Sequence, residues 1–202
     1  MEIIAPDQQA KCVSPINVPT HGATGVFSVA CSTAISASPI ACLENVLNLA
    51  GYPSWNTFIP RASITEAPST VQLDPDLQRF AEAPQHAYPG VKMRFEAVMT
   101  PGKAPTSTDL EVTVLEPIVK EGCKGYRVAW KMLGMPHFLL HTERVQEFVQ
   151  ETNSDGSVET QYYCWETFGG LLAYLMKYTL GGQLEDGFNR WMNGLKKVAE
   201  GK

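Results

Sequence analysis

The most regular hydrophobic pattern in the chain lies near its C-terminus. Leu184, Phe188, Trp191, Leu195 and Val198 follow one another at steps of four and three residues, which places them on one face of a helix. Charged and amide side chains occupy the opposite face: Glu185, Asp186, Asn189, Arg190, Lys196 and Lys197. The pattern predicts a long amphipathic helix, and such a helix requires an apolar surface to pack on.

Two glycine pairs divide this C-terminal region. Gly169-Gly170 separates a preceding strand from the helix, and Gly181-Gly182 separates residues 171–180 from residues 184–198. Because glycine weakens a helix, we expect a bend or a loosened turn at the second pair. The first half of the helix is then expected to lie nearer a ligand, and the second half to anchor on the core.

Alternation of apolar and polar residues predicts strands through most of the remaining chain. The first strand is expected over residues 25–37, followed by a helix that Ser38 and Pro39 begin and Gly51 ends. Further strands are predicted over residues 61–73, 91–99, 109–119, 125–132, 137–152 and 156–168. Pro68 makes the first of these an edge or bulged strand.

Two connections are unusual in composition or length. The segment after the first helix contains Tyr52, Trp55 and Phe58, which either form a lid over an apolar site or cap the core. Residues 74–90 hold three prolines and are predicted to form a loop insertion, with a helical turn at residues 76–81.

The last two predicted strands form the clearest hairpin, with residues 153–156 (Asn-Ser-Asp-Gly) as its turn. If that turn is tight, the numbers of paired residues sum to about 310. This register sets Arg144 opposite Glu166 and Thr142 opposite Phe168.

The order of elements is one strand, a short helical pair, six strands in meander and one long helix. A curved antiparallel sheet of about seven strands, wrapped around the C-terminal helix, buries every amphipathic face in this order. The prediction is therefore an α+β domain over residues 25–202, preceded by a loosely packed arm over residues 1–24. A pocket is expected between helix and sheet.

Composition narrows the possible partners. The formal net charge is −5, and the sixteen lysines and arginines are scattered, so neither nucleic acid nor an anionic membrane is expected as a partner. No apolar run is long enough for a membrane span, and the first twelve residues lack the pattern of a secretion signal. Five widely spaced cysteines predict free thiols in a reducing compartment. We expect a cytoplasmic protein, monomeric or homodimeric.

Several segments carry a family resemblance: the opening strand, the helix pair SPIACLENVLNLAGYPSWNTFIP and the ending WETFGGLLAYLMKYTLGGQLEDGFNRWMNGLKKVAE. The chain resembles the START-like superfamily, also called SRPBCC or Bet v-like, and within it fungal proteins of the polyketide cyclase/dehydrase or coenzyme-Q-binding type. The similarity covers about residues 25–200 and includes the E-x-F-x-G element at residues 166–170. It implies a helix-grip fold with a hydrophobic pocket under the long helix, used in different members for lipid or quinone carriage, hormone sensing or polyketide cyclisation.

The sequence contains no motif for nucleophilic, nucleotide-dependent or metal-dependent catalysis, so neither a cofactor nor a metal ion is expected. Acid–base chemistry in an apolar site remains, with His141, Glu143, Arg144 and Glu166 as the candidate catalytic residues. Side-chain alternation places His141 and Glu143 on one strand face and Arg144 on the other. The alternatives are a cross-strand ion pair for Arg144 with Glu166 and a surface or core position for His141.

Aromatic side chains are the candidates for binding a ligand, although at such spacing they also build ordinary cores. The candidates are Trp55, Phe58, Phe95, Tyr126, Trp130, Tyr163, Trp165 and Tyr174. The first hypothesis is a cofactor-free cyclase, dehydratase or isomerase acting on a hydrophobic polyketide- or terpenoid-like metabolite. The alternatives are a non-catalytic carrier or sensor of a lipid, quinone or other hydrophobic ligand, and an interaction domain with a filled core.

Overall fold

A computed structural model describes residues 4–152 and 156–202. It contains one curved, fully antiparallel sheet of eight strands in the order β1-β2-β8-β7-β6-β5-β4-β3. The strands are β1 (Lys11–Val13), β2 (Phe27–Ile35), β3 (Arg61–Glu66), β4 (Lys92–Ala97), β5 (Thr106–Lys120), β6 (Cys123–Met132), β7 (His141–Thr152) and β8 (Val158–Gly169).

The helices are α1 (Pro39–Leu47), α2 (Tyr52–Trp55), α3 (Gln78–Glu82) and α4 (Leu171–Ala199). Helix α4 packs on one face of the sheet, here called the inner face, and the opposite face is called the outer face. The main core lies between α4 and the inner face, and Phe188, Trp191 and Leu195 are almost fully buried in it. The predicted α+β helix-grip architecture is confirmed, with one strand more than expected.

The β7–β8 hairpin has the predicted register. Arg144 lies opposite Glu166, and Thr142 lies opposite Phe168. The predicted turn falls on residues 153–156, of which residues 153–155 lie outside the described part of the chain. The register therefore rests on the strands themselves, which place His141 and Glu143 on the outer face and Arg144 on the inner face.

Strand β7 begins at His141, four residues after the predicted start of a strand at residue 137. The preceding residues form turns: Gly134 has a positive φ of 87°, and the backbone N–H groups of Leu139 and Leu140 both donate to the Pro136 carbonyl. Glycine adopts this left-handed conformation without steric cost. The turns bring His137 back beside His141.

The segment predicted as a loose arm is instead packed on both α4 and the sheet. Its strand β1 pairs with β2, and the backbone N–H groups of Ala10 and Cys12 donate to Asn189 and Glu185 of α4 at 2.8 and 2.7 Å. The arm then crosses the outer face, where Ile16 and Val18 are buried. The arm supplies the eighth strand and covers a face that the sequence pattern leaves uncovered.

Helix α4 runs without interruption from Leu171 to Ala199, so the loosened turn expected at Gly181-Gly182 is not found. The Gly181 position lies against the arm, where an added Cβ would be 3.4 Å from the Cys12 sulfur. Gly181 therefore lies in contact with the arm and does not break the helix. The first half of the helix remains largely exposed, and 86% of Tyr178 is accessible to solvent.

Within residues 4–152 and 156–202, no helix combines the length and the hydrophobicity that a bilayer span requires.

Candidate functional site

A cavity of about 710 Å³ lies on the outer face of the sheet, between the arm and strands β5 to β8. Its volume falls within the range of roughly 300–1,000 Å³ that is usual for small-molecule sites. The apolar part of its lining comprises Ile4, Ile16, Val18, Pro19, Val114, Ile118, Val119, Val145, Tyr163 and Trp165. The pocket predicted from the sequence lies under the helix, whereas this cavity lies on the opposite face of the sheet.

Strand alternation explains why these side chains meet. Tyr163 and Trp165 lie two residues apart on β8, and Val145 lies opposite Trp165 on β7, so all three point to the outer face. The indole N–H of Trp165 donates to the Asn17 carbonyl of the arm at 3.2 Å. Two of the predicted ligand-binding residues, Tyr163 and Trp165, therefore line a cavity that the arm closes from the other side.

The cavity also has a charged wall. The carboxylate of Glu147 accepts hydrogen bonds from Arg127 at 2.7 Å and from Lys120 at 2.8 Å, and Arg127 also contacts Glu116 at 2.9 Å. The Lys120 ammonium lies 3.8 Å from the centre of the Tyr163 ring. A ligand in this cavity would meet apolar rings on one side and fixed charges on the other.

Burial raises the pKa of Tyr163, and the carboxylates of Glu151, Glu121 and Glu147 raise it further. The phenol therefore keeps its proton at neutral pH and remains a hydrogen-bond donor.

Glu143 joins the arm to the sheet beside this cavity. Its two oxygens accept hydrogen bonds from the backbone N–H of Thr20, the hydroxyl of Thr20 and the hydroxyl of Thr113, at 2.7 to 2.8 Å. The residue is fully buried. With three donors already bound to it, Glu143 holds the arm in place and is poorly placed to accept a proton from a substrate.

The inner face carries a different polar group, the buried ion pair of Arg144 and Glu166. Two nitrogens of Arg144, Nε and Nη2, each lie 2.9 Å from Glu166 Oε2, so the predicted cross-strand ion pair is present. The guanidinium carbon lies 4.1 Å from the centre of the Phe188 ring and 5.2 Å from that of Trp191. An arginine stacked on aromatic rings can remain charged inside a core.

The core on the inner face also holds buried donors without partners. In the described part of the chain, Arg144 Nη1 and Gln146 Nε2 are buried without a hydrogen-bond partner, and so is Trp55 Nε1. The other end of the Gln146 amide is well paired, since its oxygen accepts from Tyr162 at 2.6 Å and from Trp191 at 3.2 Å. Buried donors without partners are uncommon in native proteins and suit an oxygen-bearing ligand.

Four of the other predicted ligand-binding residues form one aromatic cluster between α4 and the sheet. Trp55 lies 5.3 Å from Trp191, and Phe95 lies 5.7 Å from Trp130, measured between ring centres. Phe58 packs on the α4 backbone at Gly187, where an added Cβ would be 2.5 Å from its ring. The rings of Trp55, Phe58, Phe95 and Trp130 thus fill the space in which the ligand pocket was expected.

The two remaining candidates lie elsewhere. Tyr126 lines a separate cavity of about 470 Å³ at the rim of the sheet, beside Ile40 of α1, and burial raises its pKa. Tyr174 lies on the first half of α4 with 59% of its surface exposed. Neither side chain is in contact with the outer cavity or with Arg144.

His141 is the first residue of β7. Its imidazole packs against the backbone of Gly169, its partner on β8. Its ring stacks on that of His137 with 3.7 Å between centres, and the His21 ring lies 4.6 Å away. One nitrogen of each ring lies within 4.8 Å of the others, an arrangement that can hold a metal ion. Burial, followed by the charge of His141, lowers the pKa of His21.

Of the predicted catalytic residues, the structure brings Arg144 and Glu166 together on the inner face and leaves His141 and Glu143 on the outer face. His21 and His137 were not among the candidates. The spacing of His137 and His141, four residues apart, is a spacing used by zinc-binding histidine pairs and is the signal that could have found them. No sequence signal connects His21, which lies in the arm, to that pair.

Comparison with known proteins places the chain in a family. Over 185 residues it is 30% identical to the oxopyrrolidines biosynthesis cluster protein O of Penicillium oxalicum, and the match covers 87% of this chain and 86% of that protein. The chain belongs to the family of this cluster protein. No protein-family model matches the chain.

One solved structure shares the fold of this member of the cluster protein O family, and a second is more distantly similar. A hypothetical protein from Helicobacter pylori superimposes with a TM-score of 0.58 at 13% identity, covering 93% of this chain and 97% of that protein. The protein Ara h 8.0201 gives a TM-score of 0.46 at 10% identity, covering 87% of this chain and 98% of that protein. The Helicobacter pylori structure supports the predicted fold, and the Penicillium relative is a fungal protein, as the sequence resemblance predicted.

Proposed function

We propose that this protein binds a hydrophobic small molecule in the outer cavity, between the arm and the sheet. The observation that carries the proposal is the cavity itself, which has ligand-sized volume and places Trp165 and Tyr163 on an apolar wall. Both rings provide contact area, and the Tyr163 hydroxyl also provides a donor that can orient a ligand. The arm, held by Glu143 and Trp165, forms the second wall.

The charges on the opposite wall define the class of ligand. Lys120 and Arg127 are paired with Glu147, but about a third of each side chain remains exposed, 37% and 34%, so their N–H groups can also donate to a carbonyl or hydroxyl oxygen of a ligand. The ligand is therefore a mostly apolar molecule with an oxygen-rich end. Because the relative belongs to an oxopyrrolidines biosynthesis cluster, we further propose that the ligand is an intermediate or product of secondary metabolism.

A fluorescence titration with 8-anilinonaphthalene-1-sulfonate, an apolar anion of suitable size, tests the proposal. Val114 lines the outer cavity, so Val114→Phe fills part of it, whereas Ile40→Phe makes the matched change at the rim cavity. We expect Val114→Phe to weaken binding at least about tenfold and Ile40→Phe to leave it unchanged, provided that both variants keep the wild-type near-ultraviolet circular dichroism. Unchanged binding by Val114→Phe would refute the assignment.

A second candidate function, acid–base catalysis, is favoured by the inner ion pair and its unpaired donors. Arg144 Nη1 and Gln146 Nε2 lie two residues apart on one strand face and could together stabilise an enolate oxygen, while Glu166 exchanges the proton. Because aromatic rings fill the space under α4, this scheme requires those rings to move apart and admit the substrate. Reactions of this kind include the cyclisation, dehydration and isomerisation of polyketide-like molecules. No cofactor takes part in this scheme.

The two functions differ in the fate of the ligand. A carrier returns the bound molecule chemically unchanged, and mass spectrometry of ligand extracted after incubation detects this. If the protein is an enzyme acting at the inner ion pair, Glu166→Gln abolishes conversion, whereas Glu116→Gln on the outer face retains it. Full conversion by Glu166→Gln would eliminate the inner site as the place of reaction.

A further inference from the structure

Three of the four histidines of the chain meet at one place, although they come from three separate segments. His21 belongs to the arm, His137 to the turn before β7, and His141 to β7 itself. Within the described residues this is the one group of three metal-ligating side chains that meets the distance requirement. Nothing in the packing of an apolar core requires imidazoles to gather in this way.

The hydrogen bonds around His141 leave a lone pair on its Nε2 free to face the cluster. Its Nδ1 lies 2.7 Å from the His137 carbonyl, which can only accept, so Nδ1 carries the proton and Nε2 carries the lone pair. The nearest candidate donor to Nε2 is the Thr24 hydroxyl at 3.4 Å. That hydroxyl has a single proton and already donates it to the His21 carbonyl at 2.7 Å.

A second ring nitrogen, Nε2 of His21, is also buried without a hydrogen-bond partner among the described residues. His137 is exposed at the edge of the cluster, which leaves a path from solvent. Two nitrogens without partners and a third at the surface therefore converge, while a backbone carbonyl orients His141, as is common for metal-binding histidines.

The surrounding charges also suit a cation. Glu143 lies two residues from His141 on the same face, and its buried carboxylate contributes negative charge although its oxygens are occupied. The nearby cation of Lys131 is paired with Glu111 at 3.2 Å.

We propose that His21, His137 and His141 form a binding site for a divalent transition-metal ion, best matched to Zn²⁺. Three imidazoles with a fourth position open to water are a ligand set that zinc accepts, and hard cations such as Mg²⁺ prefer oxygen. Tetrahedral nitrogen ligands about 2.0–2.1 Å from zinc lie about 3.4 Å apart. The three nitrogens lie up to 4.8 Å apart in the structure, so the imidazole rings must rotate to bring them to this distance.

The ion would fasten the arm to the sheet. His21 lies two residues after Pro19, which lines the outer cavity together with Ile16 and Val18. His141 lies about 13 Å from Val145 along β7, at roughly 3.3 Å per residue. A metal ion bound by both the arm and the sheet would therefore hold in place the same wall of the cavity, the arm, that Glu143 holds. This consequence rests on the proposed function, but the metal site itself does not.

Isothermal titration of the metal-free full chain with zinc chloride tests the site, using Cys123→Ser as the background because Cys123 is an exposed thiol that could bind zinc itself. We expect one zinc ion per chain, and a loss of affinity of at least about tenfold in both His137→Asn and His21→Asn. The control is His86→Asn, which removes the fourth histidine, located far from the cluster against Phe80. Cobalt substituted for zinc should give the intense visible absorption of a tetrahedral site.

Zinc binding that survives His137→Asn and His21→Asn, or that falls equally in His86→Asn, overturns the proposal. Val114→Phe separates this result from the proposed ligand function. If that variant binds zinc normally but not the anilinonaphthalene probe, the metal site and the cavity are independently supported. If zinc binding fails while probe binding remains intact, only the metal site is refuted.

Discussion

Both carboxylate oxygens of Glu143 bind Thr20: Oε2 accepts from its backbone N–H at 2.7 Å and Oε1 from its hydroxyl at 2.8 Å. These residues are 123 positions apart in the chain, and the contact fixes the arm on the outer face of the sheet. Because the arm forms one wall of the outer cavity, the shape of the proposed ligand site depends on this contact.

Replacing Glu143 by Met keeps the length of the side chain and removes both acceptor oxygens. The Thr20 N–H and two hydroxyls then lose their partners, and we expect the free energy of unfolding to fall by about 1–3 kcal/mol. Hydrogen exchange at the amides of residues 16–22 should accelerate, because the arm is less firmly held. Urea denaturation and exchange mass spectrometry measure the two effects.

Glu116→Met is the control for this change. Glu116 is half-exposed and paired with Arg127, so its loss is expected to cost less than about 1 kcal/mol and to leave the exchange of residues 16–22 unchanged. Equal effects of the two substitutions would show that Glu143 has no special role in holding the arm.

Arg144→Met leaves the Glu166 carboxylate without its partner in a largely buried position. We expect a loss of roughly 3–5 kcal/mol in unfolding free energy, since an uncompensated buried charge is costly. Adding Glu166→Gln removes that charge and should restore part of the loss. A double-mutant cycle by chemical denaturation measures the coupling, and strictly additive effects would argue against the ion pair as a stabilising unit.

Two glycines of α4 provide a matched pair of substitutions. In Gly187→Ala the new methyl group would be 2.5 Å from the Phe58 ring, so we expect a net loss of about 1–3 kcal/mol from overpacking. In Gly182→Ala nothing lies within 4 Å, and the better helix propensity of alanine should add up to about 1 kcal/mol. Thermal and urea unfolding of both variants should move in opposite directions. A shift in the same direction contradicts the packing of Phe58 on α4.

Thiol reactivity follows from burial of the cysteines. Burial, followed by the charge of Glu185, raises the pKa of Cys12 to about 11, and burial raises that of Cys42 to about 11. At pH 8 iodoacetamide should therefore modify the exposed Cys123 rapidly and the other two slowly. Peptide mass spectrometry over time measures the rates, and Cys12 reacting as fast as Cys123 would contradict the packing of the arm on α4.

The raised pKa values of Cys12 and Cys42 also predict how the free energy of unfolding changes at alkaline pH. The thiols ionise near pH 9 in the unfolded chain but near pH 11 in the folded one, so the unfolded state loses protons first. The free energy of unfolding should fall as pH rises from 9 to 11 and stay unaffected by these groups below pH 9. Cys12→Ser should reduce the slope in that window, and an unchanged slope would assign the effect to other groups.

The hairpin register could be predicted from the sequence because it depends on local information. Strand alternation and a short turn together determine that Arg144 lies opposite Glu166 and that His141 lies on the other face. Likewise, the spacing of apolar residues in α4 predicts which of its side chains are buried in the core. Which face of the sheet receives the helix does not follow from alternation, so Trp165 and Trp130 could not be assigned to opposite faces.

The arm could not be predicted because its attachments are contacts between distant backbone and side-chain groups. Ala10 donates to Asn189 and Thr20 to Glu143, and neither contact leaves a periodic pattern in the sequence. The approach of His21 to His137 and His141 depends on the same path of the arm. The outer cavity and the histidine cluster were therefore missed together, for one physical reason.

The location of a bound aromatic molecule tests the account most directly. Crystals of the full chain equilibrated with 1-iodo-2-naphthol, an apolar bicyclic phenol, would reveal the iodine by its anomalous scattering. The account predicts an iodine peak on the outer face, between Trp165 and Val18 of the arm. A peak under α4, among the rings of Phe58 and Trp191, would contradict it and return the ligand site to the inner face.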